Sequence, residues 1–171
     1  RQMCIRDSFS TLLHAWRLGS SLGSHVSRSH VLDKCLAGGT IVKWVNEGSK
    51  VVLVVCTNGD RGTSDRDLSS EDLAKIREKE QLDAARVMGV SEVVFLREPD
   101  QDLDDIPRFR EILVRQIRRH KPEIVITIDP NRSYIRHRDH YFCGRVTLDA
   151  VFPYARDYKA YPEHILSLIH I

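Results

Sequence analysis

Residues 51–56 have the sequence VVLVVC, an unbroken apolar and largely β-branched run of strand length. A run that is apolar toward both faces is typical of a central parallel strand covered by helices on each side. Similar runs follow at residues 90–96, which include VVFL, and at residues 123–128, EIVITI. The sequence therefore predicts three buried strands.

Segments with helical spacing of apolar residues lie between and after these strands. The predicted helices cover residues 39–45, the stretch from Ser69 to Gly89, a stretch that begins near Pro107, and residues 139–151. The basic side of the third helix, formed by Arg115, Arg118 and Arg119, is expected to face solvent. Alternating strands and helices predict an open α/β sheet, and in such sheets the ligand site lies beyond the carboxyl ends of the strands.

Composition limits the possible partners. The chain has 171 residues, 42% of them hydrophobic, and its 26 basic and 24 acidic residues are spread along it. We expect one globular domain that binds a small molecule in the cytoplasm, with no nucleic-acid and no membrane partner. The oligomeric state is not predicted. Cys4, Cys35, Cys56 and Cys143 are too widely spaced for a zinc finger or a disulfide framework, and are expected to be buried as small apolar residues.

The two ends differ from the rest of the sequence. Residues 1–8, RQMCIRDS, and residues 166–171, LSLIHI, resemble translated sequencing-adapter tails, so we expect both to be non-native; natural, poorly ordered termini are the alternative. Residues 9–165 are then expected to form a single, partial domain. Residues 9–37 show no sustained period and no clear apolar first strand.

The run HRDH at residues 137–140 follows the third predicted strand and carries the most specific chemical signal. His137 and His140 are three residues apart at a predicted helix start, so both imidazoles can point to one side, and the carboxylate of Asp139 can accept a ring N–H. That arrangement suits a metal site, although histidines in a polar loop are often ordinary surface residues. His120 and His164 are expected to be of that ordinary kind.

Several motifs occur together in one order: GGTIVKW, VVCTNGDRGTS, IREKE followed by MGV, VVFL and HRDH. In this order and spacing they resemble the LmbE/PIG-L family of zinc-dependent N-acetylglucosaminyl deacetylases, over about 115 of the 171 residues. The resemblance implies a Rossmann-like three-layer sandwich with a mostly parallel sheet, here incomplete at both ends. It also implies one catalytic zinc ion and hydrolysis of the N-acetyl group, a linear amide, of a substrate that contains N-acetylglucosamine.

The resemblance also assigns roles to residues. His140 would be a metal ligand, His137 would stabilise the oxyanion, and Asp139 would hold His137. Arg77 and Asp100 would contact the substrate, although Arg97 and Gln101 stand where the family usually has glycine. An ion pair with Glu80 is an equally good interpretation of Arg77.

The first metal motif departs from the family pattern. The family has His-Pro-Asp-Asp, which supplies a ligand, a general base and a second ligand, whereas residues 30–33 are HVLD. His30 and Asp33 could still bind metal, but Leu32 occupies the position of the base, which would cost a factor of about 10²–10⁴ in rate. Either a frameshift has overwritten this segment or catalysis has been lost naturally. The alternative function is a catalytically inactive sugar-binding or structural relative; a dinucleotide-binding domain is least favoured, because no strand is followed by GxGxxG.

Overall fold

A computed structural model describes residues 13–18, 34–132 and 137–164, with side chains for residues 38–132 and 137–164. In chain order the strands and helices are β1 (Leu13–Leu18), α1 (Lys34–Asn46), β2 (Lys50–Thr57), α2 (Ser70–Val87), β3 (Glu92–Glu98), α3 (Pro107–His120), β4 (Ile124–Ile126) and α4 (Arg138–Asp149). An irregular helical turn (Ala150–Ala155) and a 3-10 turn (Pro162–His164) follow. The suspected tails, and the motif that contains His30, Leu32 and Asp33, lie outside the described residues.

The four strands form one sheet in the order β3-β2-β1-β4. β2 pairs with β3 in parallel, and β1 pairs antiparallel with both β2 and β4. The three strands predicted from the sequence, β2, β3 and β4, therefore run in the same direction, and their carboxyl ends lie at one edge. This is the edge where the sequence places the polar loops.

Helices cover both faces of the sheet, as the fully apolar β2 requires. On one face, Val52, Val54 and Cys56 pack with residues of α3 and α4; on the other, Val51, Leu53 and Val55 pack with α1 and α2. The predicted α/β three-layer arrangement is confirmed. None of the helices in the described ranges combines the length and apolarity needed to cross a bilayer.

Strand β1 is the main difference from the prediction. We expected no clear strand before Gly38, yet Leu13–Leu18 inserts between β2 and β4. Its sequence, LHAWRL, mixes apolar and polar residues without a regular period, so the sequence carries no strand signal there. Backbone pairing with neighbours on both sides forms the strand, which is a tertiary effect that local propensity cannot report.

Helix α2 has the predicted ends. The side chain of Ser69 accepts a hydrogen bond from the backbone N–H of Asp72 at 3.1 Å and caps the amino terminus. Gly89 follows the carboxyl end with φ of 72°. A Cβ atom at Gly89 would lie 2.7 Å from Cγ1 of Val45, so this glycine also permits close packing against α1.

Three predicted surface residues are buried or largely buried. Arg118 is only 4% exposed, and its guanidinium donates to the backbone carbonyls of a single segment. The acceptors are Tyr154, Ala155, Asp157, Ala160 and Tyr161, at 2.7–3.2 Å. The side chains of His120 and His164 are 7% and 12% exposed, and His164 Nε2 lies 2.8 Å from Oε1 of Glu111. The prediction that these three residues face solvent is wrong. Residues 150–164 fold back over α3, which buries Arg118 and packs His164 against Glu111, whereas His120 lies beside Glu92 of β3.

Candidate active site

The candidate site lies at the carboxyl edge of the sheet, where the loops after β2, β3 and β4 meet. Helix α4 begins at this edge and packs directly on the end of β4. A Cβ atom at Gly144 would lie 2.2 Å from the carbonyl oxygen of Ile128, so only glycine allows the helix to approach so closely. The first turn of α4 therefore has a fixed position relative to the sheet.

His137 and His140 lie side by side on this first turn. Their ring centroids are 5.1 Å apart, with the ring planes inclined by 52°, and both residues are half-buried. His137 is the N-cap of α4, and its Nδ1 accepts a hydrogen bond from the backbone N–H of Asp139 at 3.3 Å. A neutral His137 therefore carries its proton on Nε2, the nitrogen that can donate to a ligand.

Asp139 has contacts different from those expected. The residue is fully buried, and its carboxylate accepts hydrogen bonds from the backbone N–H groups of Gln101 (2.6 Å) and Leu103 (3.2 Å). Its link to His137 runs through its own backbone N–H, not through the carboxylate. The carboxylate of Asp139 thus anchors the loop after β3, and its predicted role in holding His137 stays a prediction.

Asp100 and Arg77 both contact the loop after β2, from two sides. Asp100 is fully buried, and its backbone N–H donates to Oδ1 of Asp60 at 2.9 Å. Oδ2 of Asp100 lies 3.9 Å from the position that a Cβ atom would take on Gly62. Arg77 donates to the carbonyl oxygen of Gly62 at 3.5 Å and to Oε2 of Glu80 at 2.7 Å. The ion pair expected for Arg77 is thus present, and the same side chain also reaches the β2 loop.

Two residues near the carboxyl end of β3 have unusual backbone conformations. Arg97, the penultimate residue of the strand, and Gln101, in the loop that follows, have φ of 56° and 63°, in the left-handed region that disfavours residues with a Cβ atom. These are the positions where glycine was expected from the resemblance. The chain therefore keeps the glycine-like backbone without the glycines, at an energetic cost.

A pair of thiols lies in the core behind Asp139. Sγ of Cys56 is 3.8 Å from Sγ of Cys143, and both residues are buried and free of disulfides, as predicted for them. Burial is the main factor that raises the pKa of the Cys56 thiol, followed by Cys143 and then by the carboxylates of Glu98 and Asp139. The Cys56 thiol therefore stays protonated and uncharged in the core.

Two contributors to the site were missed in the sequence. Asp60 follows β2 in the TNGDRG loop, and Arg138 stands between the two histidines. The position of Asp60 directly after a buried strand could have identified it, since ligand-side loops begin there. The contacts of Arg138 could not be predicted from neighbouring residues, because its partners lie 34 or 35 residues earlier in the chain.

Only one predicted metal ligand, His140, falls within the described residues. Among those residues, the group with metal-ligand geometry is a different one: Glu111, Glu163 and His164, whose ligand atoms lie within 4.8 Å of one another. Arg115 Nη2 lies 3.1 Å from Glu111 and 3.4 Å from His164, so a guanidinium already supplies positive charge there. This group was not predicted and does not include the histidines of α4.

Histidines and carboxylates at the carboxyl edge of the strands of a three-layer α/β fold form a candidate ligand site of the kind that open α/β sheets carry. The sequence model of the PIG-L family, described as "GlcNAc-PI de-N-acetylase", matches residues 29–151. The chain therefore belongs to the PIG-L family.

Curated relatives agree with the family assignment. The chain is 35% identical to a diacetylchitobiose deacetylase of Thermococcus kodakarensis, over 70% of this chain and 45% of that protein. It is 31% identical to a mycothiol S-conjugate amidase of Streptomyces coelicolor, over 72% of this chain and 49% of the relative. The chain thus spans about half the length of the relatives it matches.

Solved structures share the fold. An N,N′-diacetylchitobiose deacetylase from Pyrococcus horikoshii, solved with an inhibitor, aligns with a TM-score of 0.72 and 31% identity, over 74% of this chain and 47% of that one. The hydratase GalB from Pseudomonas putida aligns with a TM-score of 0.63 at 22% identity, over 73% of this chain and 53% of that one. The second likeness concerns the fold alone.

Proposed function

We propose that the chain is part of a zinc-dependent hydrolase that removes the N-acetyl group from a substrate containing N-acetylglucosamine. The observation that carries this proposal is the pair His137 and His140 on the first turn of α4, whose ring centroids lie 5.1 Å apart. Relatives named as deacetylases of N-acetylated sugars support the choice of reaction.

His140 would hold the metal ion, together with His30 and Asp33. The described part of this donor set suits zinc, because an imidazole on a half-buried helix turn is a preferred zinc ligand. A bound zinc ion would lower the pKa of a water molecule to about 7 and polarise the amide carbonyl.

The residues beside the metal would bind the sugar and stabilise charge. Nε2 of His137 can donate to the oxyanion that develops on the acetamide, and loss of one such donor typically costs about 2.7–4 kcal/mol. The positive end of the α4 dipole lies at the same place and adds to this effect. Arg77 of α2 and Asp100 of the loop after β3 would hydrogen-bond the sugar hydroxyl groups.

A second candidate function is sugar binding without catalysis. The specific observation in its favour is Leu32, which stands where the family has its general base. Leucine cannot accept a proton, so this chain could bind zinc and sugar and still hydrolyse the amide slowly.

Zinc titration and acetate release together test both functions. Calorimetric titration of the purified chain with zinc should give one equivalent bound, and His140→Ala should abolish it. His164→Ala is the matched control, since it disrupts the other histidine and glutamate group and should leave that equivalent intact. Acetate release from N,N′-diacetylchitobiose then separates hydrolysis from binding. Zinc binding that survives His140→Ala would contradict the proposed site.

A further inference from the structure

The backbone of the loop between β3 and α3 is held by one residue of the loop after β2 and by one residue of α4. From the β2 side, Oδ1 of Asp60 accepts the N–H of Asp100 at 2.9 Å. From α4, the Asp139 carboxylate accepts the N–H groups of Gln101 at 2.6 Å and Leu103 at 3.2 Å. The segment that carries Asp100 is thus tied to the strand edge and to the helix of the two histidines.

Arg138, the neighbour of Asp139, contacts the same segment with opposite polarity. Its Nε donates to the carbonyl oxygen of Leu103 at 3.1 Å, and its Nη2 donates to Oδ2 of Asp104 at 2.8 Å. The guanidinium also lies 4.8 Å from the centre of the Phe142 ring, which restricts its orientation. Adjacent residues of α4 therefore bind both the donors and the acceptors of one loop.

The loop depends on these contacts for its conformation. Gln101 has φ of 63°, a left-handed conformation that is unfavourable for a residue with a side chain. The hydrogen bond from its N–H to the buried Asp139 carboxylate is charge-assisted, and such bonds are roughly twice as strong as neutral ones. The carboxylate of Asp139 can therefore stabilise a backbone conformation that the loop sequence alone disfavours.

We propose that Arg138 and Asp139 act as a positioning pair that sets the sugar-binding loop at Asp100 against His137 and His140. The two residues lie between the histidines in sequence, so they connect the loop to the same helical turn. The identity of the ligand, an N-acetylglucosamine unit, rests on the proposed function; the positioning itself rests on the contacts described above.

Amide hydrogen exchange at Gln101 and Leu103 tests the pair directly, in the whole chain without metal or sugar. Asp139→Asn preserves the side-chain shape but replaces an acceptor oxygen with an NH₂ group that faces a backbone N–H. We expect at least one of the two amides to exchange about 10- to 100-fold faster. Asp104→Asn is the matched control: it weakens only exposed contacts of the Asp104 side chain, with Arg138 and with the backbone N–H of Asp105, and should change both rates less than about threefold.

Binding of N-acetylglucosamine, followed by NMR titration with zinc present, tests the consequence for the ligand. Arg138→Met should weaken sugar binding about 5- to 10-fold and change zinc affinity less than about threefold, because Arg138 contacts the loop and not His140. Arg138 is half exposed, so this variant carries the test even if Asp139→Asn does not fold.

Each outcome decides a separate part of the proposal. The positioning pair is overturned, whatever the chain binds, if both amides exchange in Asp139→Asn at the wild-type rate. If only Arg138→Met folds, the same result in that variant has the same meaning. Faster exchange with unchanged sugar affinity would reduce the pair to a structural role. A wild-type chain with protected amides that binds no sugar would overturn the proposed function and the sugar-binding role of the loop, and would leave the contacts of the pair intact.

Discussion

Replacement of Gly144 by alanine should displace α4 from the end of β4. The new Cβ atom would lie 2.2 Å from the carbonyl oxygen of Ile128 and 2.9 Å from its Cγ2. A carbon atom normally stays about 3.3 Å from a carbonyl oxygen, so the helix has to recede by about 1 Å. The obstacle includes backbone, which cannot rotate away as a side-chain tip can.

The magnitude follows from two opposing effects. Overpacking of a filled core costs about 1–3 kcal/mol, and the obstacle at Gly144 places this variant toward the upper end. Alanine in place of glycine inside a helix returns up to about 1 kcal/mol. We therefore expect Gly144→Ala to lower the free energy of unfolding by about 1–2 kcal/mol, which corresponds to about 0.5–1 M in the urea midpoint.

Urea unfolding followed by circular dichroism measures this change, and Gly39→Ala is the matched control. Gly39 lies in α1 with no atom within 4 Å of an added Cβ, so alanine there should be neutral or stabilising. Zinc affinity should also fall in Gly144→Ala, because His137 and His140 move with the helix. If Gly144→Ala is as stable as Gly39→Ala, the packing argument for the position of α4 is wrong.

Four further predictions concern single residues. Leu32→Asp should increase acetate release from N,N′-diacetylchitobiose by about 10²–10⁴-fold, because it supplies the missing base. Arg118→Met should lower the free energy of unfolding by about 3 kcal/mol or more, since buried carbonyls lose a charged donor. Gln101→Gly should raise it by up to about 1 kcal/mol, because glycine adopts positive φ without strain. Burial lowers the pKa of His120 in the folded chain. Below about pH 6.5 the unfolded chain therefore binds more protons than the folded chain. The free energy of unfolding should fall as the pH drops from about 6.5 through the lower pKa of the folded state.

Each of these predictions has a specific control. Leu32→Asn has a similar shape to aspartate without the basic carboxylate, and equal rates in the two variants would argue against a missing base. Arg119→Met removes a largely exposed guanidinium and should cost little, in contrast to Arg118→Met. Gln101→Ala retains the Cβ atom and should not stabilise the chain. His120→Gln should flatten the acid side of the stability profile; an unchanged profile would exclude His120 as its cause.

The parts of the fold with a strong local pattern could be predicted from the sequence. β2 is apolar on both faces, and α2 has a capping serine and a terminal glycine, so both are encoded by neighbouring residues. β1 has no such pattern, because it forms through pairing with strands that follow it much later in the chain. Short-range periodicity cannot detect that kind of element.

The candidate site also has a part that could be predicted from neighbouring residues and a part that could not. His137 and His140 were identified because they are close in sequence and share one helical turn. Asp139 contacts Gln101 and Leu103 across 36 to 38 residues of sequence, so the local sequence pattern does not predict these contacts. Arg118 was misassigned for the same reason, since its carbonyl acceptors lie at least 36 residues further along. His30 and Asp33 remain predictions, as does the cytoplasmic location.

The backbone carbonyls that accept hydrogen bonds from Arg118 attach residues 154–161 to α3. A truncated version that stops before Tyr154 would retain α3 and the whole sheet, but the guanidinium would lose every backbone acceptor described for it. The same truncation would expose the guanidinium to water, and it would remove Tyr154, Ala155 and Tyr161, which pack against the core beside α3. Residues 154–161 therefore stabilise the domain even though they contribute no residue to the candidate site.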